Sequence, residues 1–246
     1  VERQQAGGLA AWARVYEGDF DAGKHLLERA LIWNVRGELE NISPRLREKG
    51  QAHAAAPDKE PALRIQMLEE AGQLQIPFTT GLLVGIGETA QEQVETLLEI
   101  DRIHRRYGHL QEVIVQTFRS KPDIVMRDHL EMEDWELARL VAVARLLLPD
   151  MNLQAPPNLT PAAHRLLIRA GINDWGGISP VTMDFINPEA PWPHIEDLRQ
   201  SCEAEGFSLR PRLPIYPEYL EREGFLDPDL LIWVERAKEN MGHVAA

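Results

Sequence analysis

From residue 77 onward, short runs of β-favouring apolar residues alternate with longer stretches whose apolar positions recur every three or four residues. The runs are PFTTGLLV (77–84), EVIVQTF (112–118), NLQA (152–155) and, more weakly, INDW (172–175). The stretches between and after them predict helices over about 90–106, 133–148, 161–170 and 194–205. Such alternation argues for a parallel sheet covered by helices. Two helix starts carry their own chemistry. Thr89 with Glu92 three positions on reads as a capping box, and Thr160 before Pro161 places a cap ahead of a first-turn proline. Val94, Leu97, Leu98 and Ile103 are expected to form one buried stripe. Upstream, a helix is expected from Pro61 to a C-terminal cap at Gly72, after an exposed polar loop, EKGQAHAAAPDKE, and a short strand near Leu39–Ile42. Residues 1–37 read as mostly helical, with Leu26, Leu27, Ala30 and Leu31 at helical spacing. Five strands at most fall short of the eight in a closed β/α barrel, which takes roughly 250 residues.

In parallel β/α sheets ligands bind at the C-terminal ends of the strands, so the residues that follow each strand are the candidate chemistry. After the first strong strand comes Gly85-Ile86-Gly87-Glu88-Thr89. Its two glycines allow close backbone approach, and the following helix start offers free amides. The bland alternative is that such a turn is common in any parallel sheet. After the second strand come Gln116, Thr117, Arg119 and Lys121, the last two of which read equally well as solvated loop charges. After the third comes APPNLTP, and after the fourth the long irregular stretch GGISPVTMDFINPEAPWP. Loops of that length inside a domain are usually functional.

The remaining residues narrow the function classes. Of 246 residues, 44% are hydrophobic and 26% charged, and the net charge is −13. An acidic chain with only short mixed basic runs does not predict a nucleic-acid partner. The longest apolar stretch, LARLVAVARLLLP, is interrupted by Arg139 and Arg145 and is too short for a membrane span. With no signal-peptide pattern in the first 30 residues either, a cytoplasmic protein is the expectation. Cys202 is the only cysteine, which excludes an internal disulfide or a cysteine-built metal or iron–sulfur site within these residues. The histidines lie scattered, with no HExxH, so no metal site is predicted. Cys202 itself reads as a packed residue, and Ser179 lacks a nucleophile elbow.

The stretches IPFTTGLLVGIGET, HRRYGHLQEVIVQTFRSKP, APPNLTP and INDWGGISPVTMDFINPEAPWP, with LENISPRLREKG and HAAAPDKEPALR before them, closely resemble the radical-SAM subunit of FO synthase, from about residue 38 to 220. The resemblance implies the C-terminal strands and helices of a partial (β/α) TIM-type barrel of the radical-SAM kind over 38–246, behind a divergent segment 1–37. It implies S-adenosylmethionine and a [4Fe–4S] cluster as cofactors, an ammonia-releasing cyclisation that makes the deazaflavin of coenzyme F420, and a partner radical-SAM subunit that supplies the hydroxybenzyl adduct. By position, Gly81, Leu83, Gly85, Ile86, Gly87, Glu88 and Gln116 would contact S-adenosylmethionine. Arg119, Asn158, Asp174, Ser179 and Asn187 would contact substrate, with Arg119 suited to a carboxylate and the amides to uracil and ribityl oxygens. No individual catalytic residue is assigned.

The family's CxxxCxxC cluster loop has no counterpart here, so the chain alone is expected to be inactive in radical generation. The competing expectations are a non-catalytic half-barrel that folds stably or assembles with a partner covering its open sheet edge, and a non-radical enzyme using the GIGET turn for a phosphate or nucleotide.

Overall fold

The structure, a computed structural model, describes residues 35–179, 182–226 and 228–244. The expected N-terminal helix therefore lies, through residue 34, outside the described residues. Strand β1 (Val35–Arg36) is followed by helix α1 (Pro61–Gln73), β2 (Phe78–Val84), α2 (Ala90–Tyr107), β3 (Leu110–Thr117), α3 (Asp134–Leu147), β4 (Leu153–Gln154), α4 (His164–Ala170) and α5 (Ile195–Glu203). The four strands form one sheet in the order β1-β2-β3-β4, with β2–β3 and β3–β4 parallel. The expected fourth strand at 172–175 is reduced to a single parallel bridge between Gln154 and Asp174. Sequential parallel order with a helix between neighbours is the arrangement of an arc of a β/α barrel, and the structure is compatible with that partial fold.

Several boundaries differ from the sequence reading for local reasons. The strand expected at Leu39–Ile42 is confined to Val35–Arg36. Beyond it the chain still runs along β2, through Gly37 N to Thr79 O at 3.1 Å and Glu40 N to Gly81 O at 2.8 Å. Glu40 then turns it away with a positive φ of 61°. Helix α4 begins three residues later than expected, because the Thr160 hydroxyl donates back to Pro156 O at 3.3 Å instead of capping the helix. The buried stripe of α2 is Gln93, Thr96, Leu97, Ile100 and Ile103, while Leu98 is exposed. Polar contacts set that rotation: Gln93 donates to Glu88, and Thr96 Oγ1 accepts from Ile42 N.

The two faces of the sheet differ. Leu82, Val84, Val113, Val115 and Leu153 are fully buried on one face, in register with one another across the strands. Burying each such side chain contributes about 1.5–3 kcal/mol. Partners in register share a face. The other face therefore carries Thr79, Gly81 and Leu83 from β2, Glu112, Ile114 and Gln116 from β3, and Gln154 and Asp174 beyond.

Residues Arg36–Arg210 form one compact unit, and those from Pro211 onward fall in another. The latter contains helices α6 (Pro217–Leu220) and α7 (Leu231–Val244) around a core of Leu213, Ile215, Tyr216, Tyr219, Phe225, Val234 and Ala237. Among the described residues no helix is long and apolar enough to cross a membrane.

Candidate functional site at the strand ends

Gly81 lies tight against β3, since a Cβ there would overlap the Ile114 carbonyl oxygen. Immediately beyond β2's end, the backbone reverses through Gly85 (φ 81°) and Gly87 (φ 101°), a conformation that favours glycine. Glu88 folds back under this turn. Its carboxylate accepts from Gly85 N at 2.8 Å, Ile86 N at 2.9 Å and the Gln93 amide at 2.7 Å. The expected free amides are thus partly spent, because Thr89 N also donates to Glu92, and Glu92 N donates to the Thr89 hydroxyl. Gly87 is the open point of the turn. It is exposed, and a Cβ on it would find nothing nearer than 3.8 Å, at Gln51 and His129.

A second layer fixes the turn from outside. Arg45 donates to Gly87 O at 2.8 Å and grips Glu92 with two nitrogens, at 2.9 and 2.7 Å. The guanidinium, with further hydrogen bonds from Ser43 and Thr89, holds the Glu92 carboxyl at about 2, well below its ordinary value. The SPRL segment is thereby tied to the start of α2, a contact that the sequence alone did not reveal. Beside it lies a buried group the sequence reading also missed. Glu40 pairs with His53 Nε2 at 3.1 Å and with Lys59. Burial alone would raise the Glu40 carboxyl, but the bonds from His53 and Lys59 outweigh it and hold it below its ordinary value. His53 had read as an isolated residue in an exposed loop, and it is buried.

The polar face of the sheet leads into this end. Leu83 and Gln116 are paired in register at its top, both half-buried, and Gln116 makes no side-chain hydrogen bond among the described residues. Deeper down, Gln154, with its amide turned to donate, reaches both Glu112 oxygens at 3.0 and 3.1 Å. Asp174 accepts from Gly176 N at 2.6 Å. Glu112, Gln154 and Thr79 escaped the sequence reading because strand periodicity without a known partner strand does not say which face is polar.

The loops beyond β3 and β4 are laced together. Arg119 bonds Leu159 O at 2.9 Å and Glu131 at 2.6 Å, so the carboxylate it holds here is internal. Lys121 reaches Ile186 O. Asn158 spends both amide hydrogens, on Asp184 at 2.9 Å and Ala190 O at 3.2 Å. Asn187 donates to the same Asp184 at 3.1 Å. Burial would raise the Asp184 carboxyl, but these bonds and those from the Ile186 and Asn187 amides leave it below its ordinary value. Ser179 accepts from the Thr182 amide and hydroxyl at 3.0 and 2.7 Å, a local turn contact. The structure therefore joins Asn158 and Asn187 through Asp184, and bonds Ser179 to Thr182. Among the described residues, buried polar atoms without a partner include Asn41 Nδ2 beyond β1, Asn158 Oδ1 beyond β4, and Trp192 Nε1 just before α5. Native proteins leave few such atoms unexplained.

Among the described residues no cluster of His, Cys, Asp or Glu is arranged to hold a metal ion. Cys202 is buried, with Trp175 Nε1 donating to its sulfur at 3.5 Å.

No family model matches the chain. It is 53% identical, over 89% of its length, to the 7,8-didemethyl-8-hydroxy-5-deazariboflavin synthase of Methanopyrus kandleri, of which it covers 66%. It is 50% identical over 80% of its length to the synthase of the same name from Methanothermobacter thermautotrophicus, of which it covers 60%. It is 51% identical over 78% of its length to the FO synthase of Streptomyces coelicolor, of which it covers 22%. The first alignment is longer than the stretch from residue 38 to the C-terminus, so similarity extends into the segment read above as divergent. The chain thus spans about two thirds or less of the length of these relatives, and as a segment of that extent it belongs to the FO synthase family.

Proposed function

We propose that this segment supplies the S-adenosylmethionine-facing and substrate-facing side of a radical-SAM carbon–nitrogen lyase. The reaction is cyclisation of 5-amino-5-(4-hydroxybenzyl)-6-(D-ribitylimino)-5,6-dihydrouracil to the deazaflavin, with loss of ammonia. The adduct would come from a partner radical-SAM subunit.

One observation carries the reading: Gly81, Leu83, Gln116 and Asp174 share one face of a parallel arc, and the Gly85–Glu88 turn closes the strand-end side of that face. The residues present fit S-adenosylmethionine. Gly87 leaves room for a flat group against the backbone, and Glu88 keeps the turn in shape without occupying that space. Leu83 would offer the apolar edge and Gln116 an uncommitted amide for the nucleoside. When bound, the group supplies hydrogen-atom abstraction, and the protein's part is to place and shield it.

The residues present do not fit the iron–sulfur cluster, because a single buried cysteine cannot ligate one. No step through a cluster is therefore assigned to these residues.

The test is calorimetric titration of the 246-residue chain with S-adenosylmethionine. Saturable binding that Gly87→Val weakens by about tenfold or more is expected, since a branched side chain would fill the open point and strain a positive φ. Absence of binding, or equal binding by the variant, would contradict the assignment.

A further inference from the structure

Asn158 stands out among the strand-end residues because its chemistry is half committed. It is 4% exposed. Its NH2 group donates to Asp184 Oδ2 and Ala190 O, while Oδ1 is buried and accepts from no group among the described residues. An asparagine amide can ordinarily turn over to suit its surroundings. This one cannot, because both donors face fixed acceptors, one of them ionised. Asp184 is itself fixed by the Ile186 amide at 2.9 Å and the Asn187 amide at 3.2 Å. On the other side, Arg119 holds the carbonyl of Leu159, the next residue. The oxygen is therefore a preset acceptor, left unpaired at a cost in stability.

We propose that Asn158 is a specificity-determining residue whose side-chain oxygen accepts a hydrogen bond from a ring N–H of a pyrimidinedione, and that Asp184 is the positioning residue that fixes its direction. The proposal rests on the function given above and names the part of the substrate read at this site. An N–H suits a preset acceptor better than a hydroxyl does. A hydroxyl rotates to meet either polarity, whereas a ring nitrogen has one fixed polarity and is rejected when it is blocked or reversed.

The test uses the whole chain and three probes, 5-amino-6-ribitylaminouracil and its two singly ring-N-methylated derivatives, titrated by calorimetry. In the unaltered protein one methylated derivative should bind weaker than the parent by about tenfold or more. In Asn158→Leu that discrimination should fall to within about threefold, and in Asp184→Asn it should fall part of the way. A methyl group excluded by bulk elsewhere would be discriminated equally in all three proteins, and that result overturns the proposal. So does failure of the parent probe to bind, or equal binding of all three probes by the unaltered chain. Asp184→Asn keeps the shape of the side chain, so it serves if Asn158→Leu does not fold. S-adenosylmethionine binding is read in a separate titration, so loss of pyrimidinedione recognition with retained S-adenosylmethionine binding refutes this inference and leaves the broader function standing.

Discussion

The turn after β2 and the loops after β3 and β4 lie at the same end of the sheet but are held together differently. In the turn, Glu88 bonds Gly85, Ile86 and Gln93, none more than five positions away, so these bonds lie within residues 85–93. In the loops, Asn158 reaches Asp184 across 26 positions, Arg119 reaches Leu159 across 40, and Lys121 reaches Ile186 across 65. Bonds closed over nine residues form with little loss of chain entropy, whereas the longer ones depend on the sheet having already brought their ends together. The turn is held by bonds of its own, and the loops are held only once the sheet has formed.

Four changes would break or sharpen that contrast. The largest effect is expected for Gly81→Val, because the added carbons overlap the backbone of β3 and disrupt the scaffold both regions share. A loss of about 3 kcal/mol or more in urea unfolding is expected, with both regions losing protection together. If only one region loosened, the shared scaffold would be the wrong picture.

Asp184→Ala should cost about 2 kcal/mol, since it strands the buried amides of Asn158 and Asn187. Limited proteolysis should then cut within 182–193 while the amides of residues 85–93 keep their exchange protection. Equal loosening of the turn would erase the distinction.

Smaller still is the tie that enters the turn from Arg45. The Glu92 carboxyl has an ordinary value of 4.5 and sits at about 2 in the folded chain. A carboxylate depressed on folding adds stability that is fully present above the unfolded value and is lost as pH falls through the folded one. Wild type and Glu92→Gln should therefore differ most above pH 4.5 and converge as pH falls towards 2. Acid-unfolding curves that stay parallel across that window would show that the Arg45 contact contributes nothing. The smallest effect, about 1 kcal/mol, is expected for Thr89→Ala, which removes a purely local cap of α2. Thermal unfolding would measure it.

The same contrast explains what could be read from the sequence. The capping box of Thr89 and Glu92, the glycine turn and the helices α1, α2, α3 and α5 were legible because their signals lie within a few residues of one another. The strands β2 and β3 were legible as apolar runs, but not which face would be polar, so Glu112 and Gln154 went unnoticed. Asn158 and Asn187 came from family resemblance, yet the residue that joins them, Asp184, had no local signal. His53 looked like one histidine in a polar loop, and only the fold brings it to Glu40. The strand at 172–175 shrank to a bridge at Asp174 where the exposed Asn173 side chain, in place of a backbone carbonyl, accepts from Leu153 N at 2.8 Å and from Arg145 at 3.0 Å.

Hydrogen exchange of the chain with and without S-adenosylmethionine tests the central reading of the strand ends most directly. Protection that appears at Gly87–Thr89 and around Gln116, with no change in the unit beyond Pro211, is the predicted result. Protection confined to other segments, or none at saturating ligand, would contradict it.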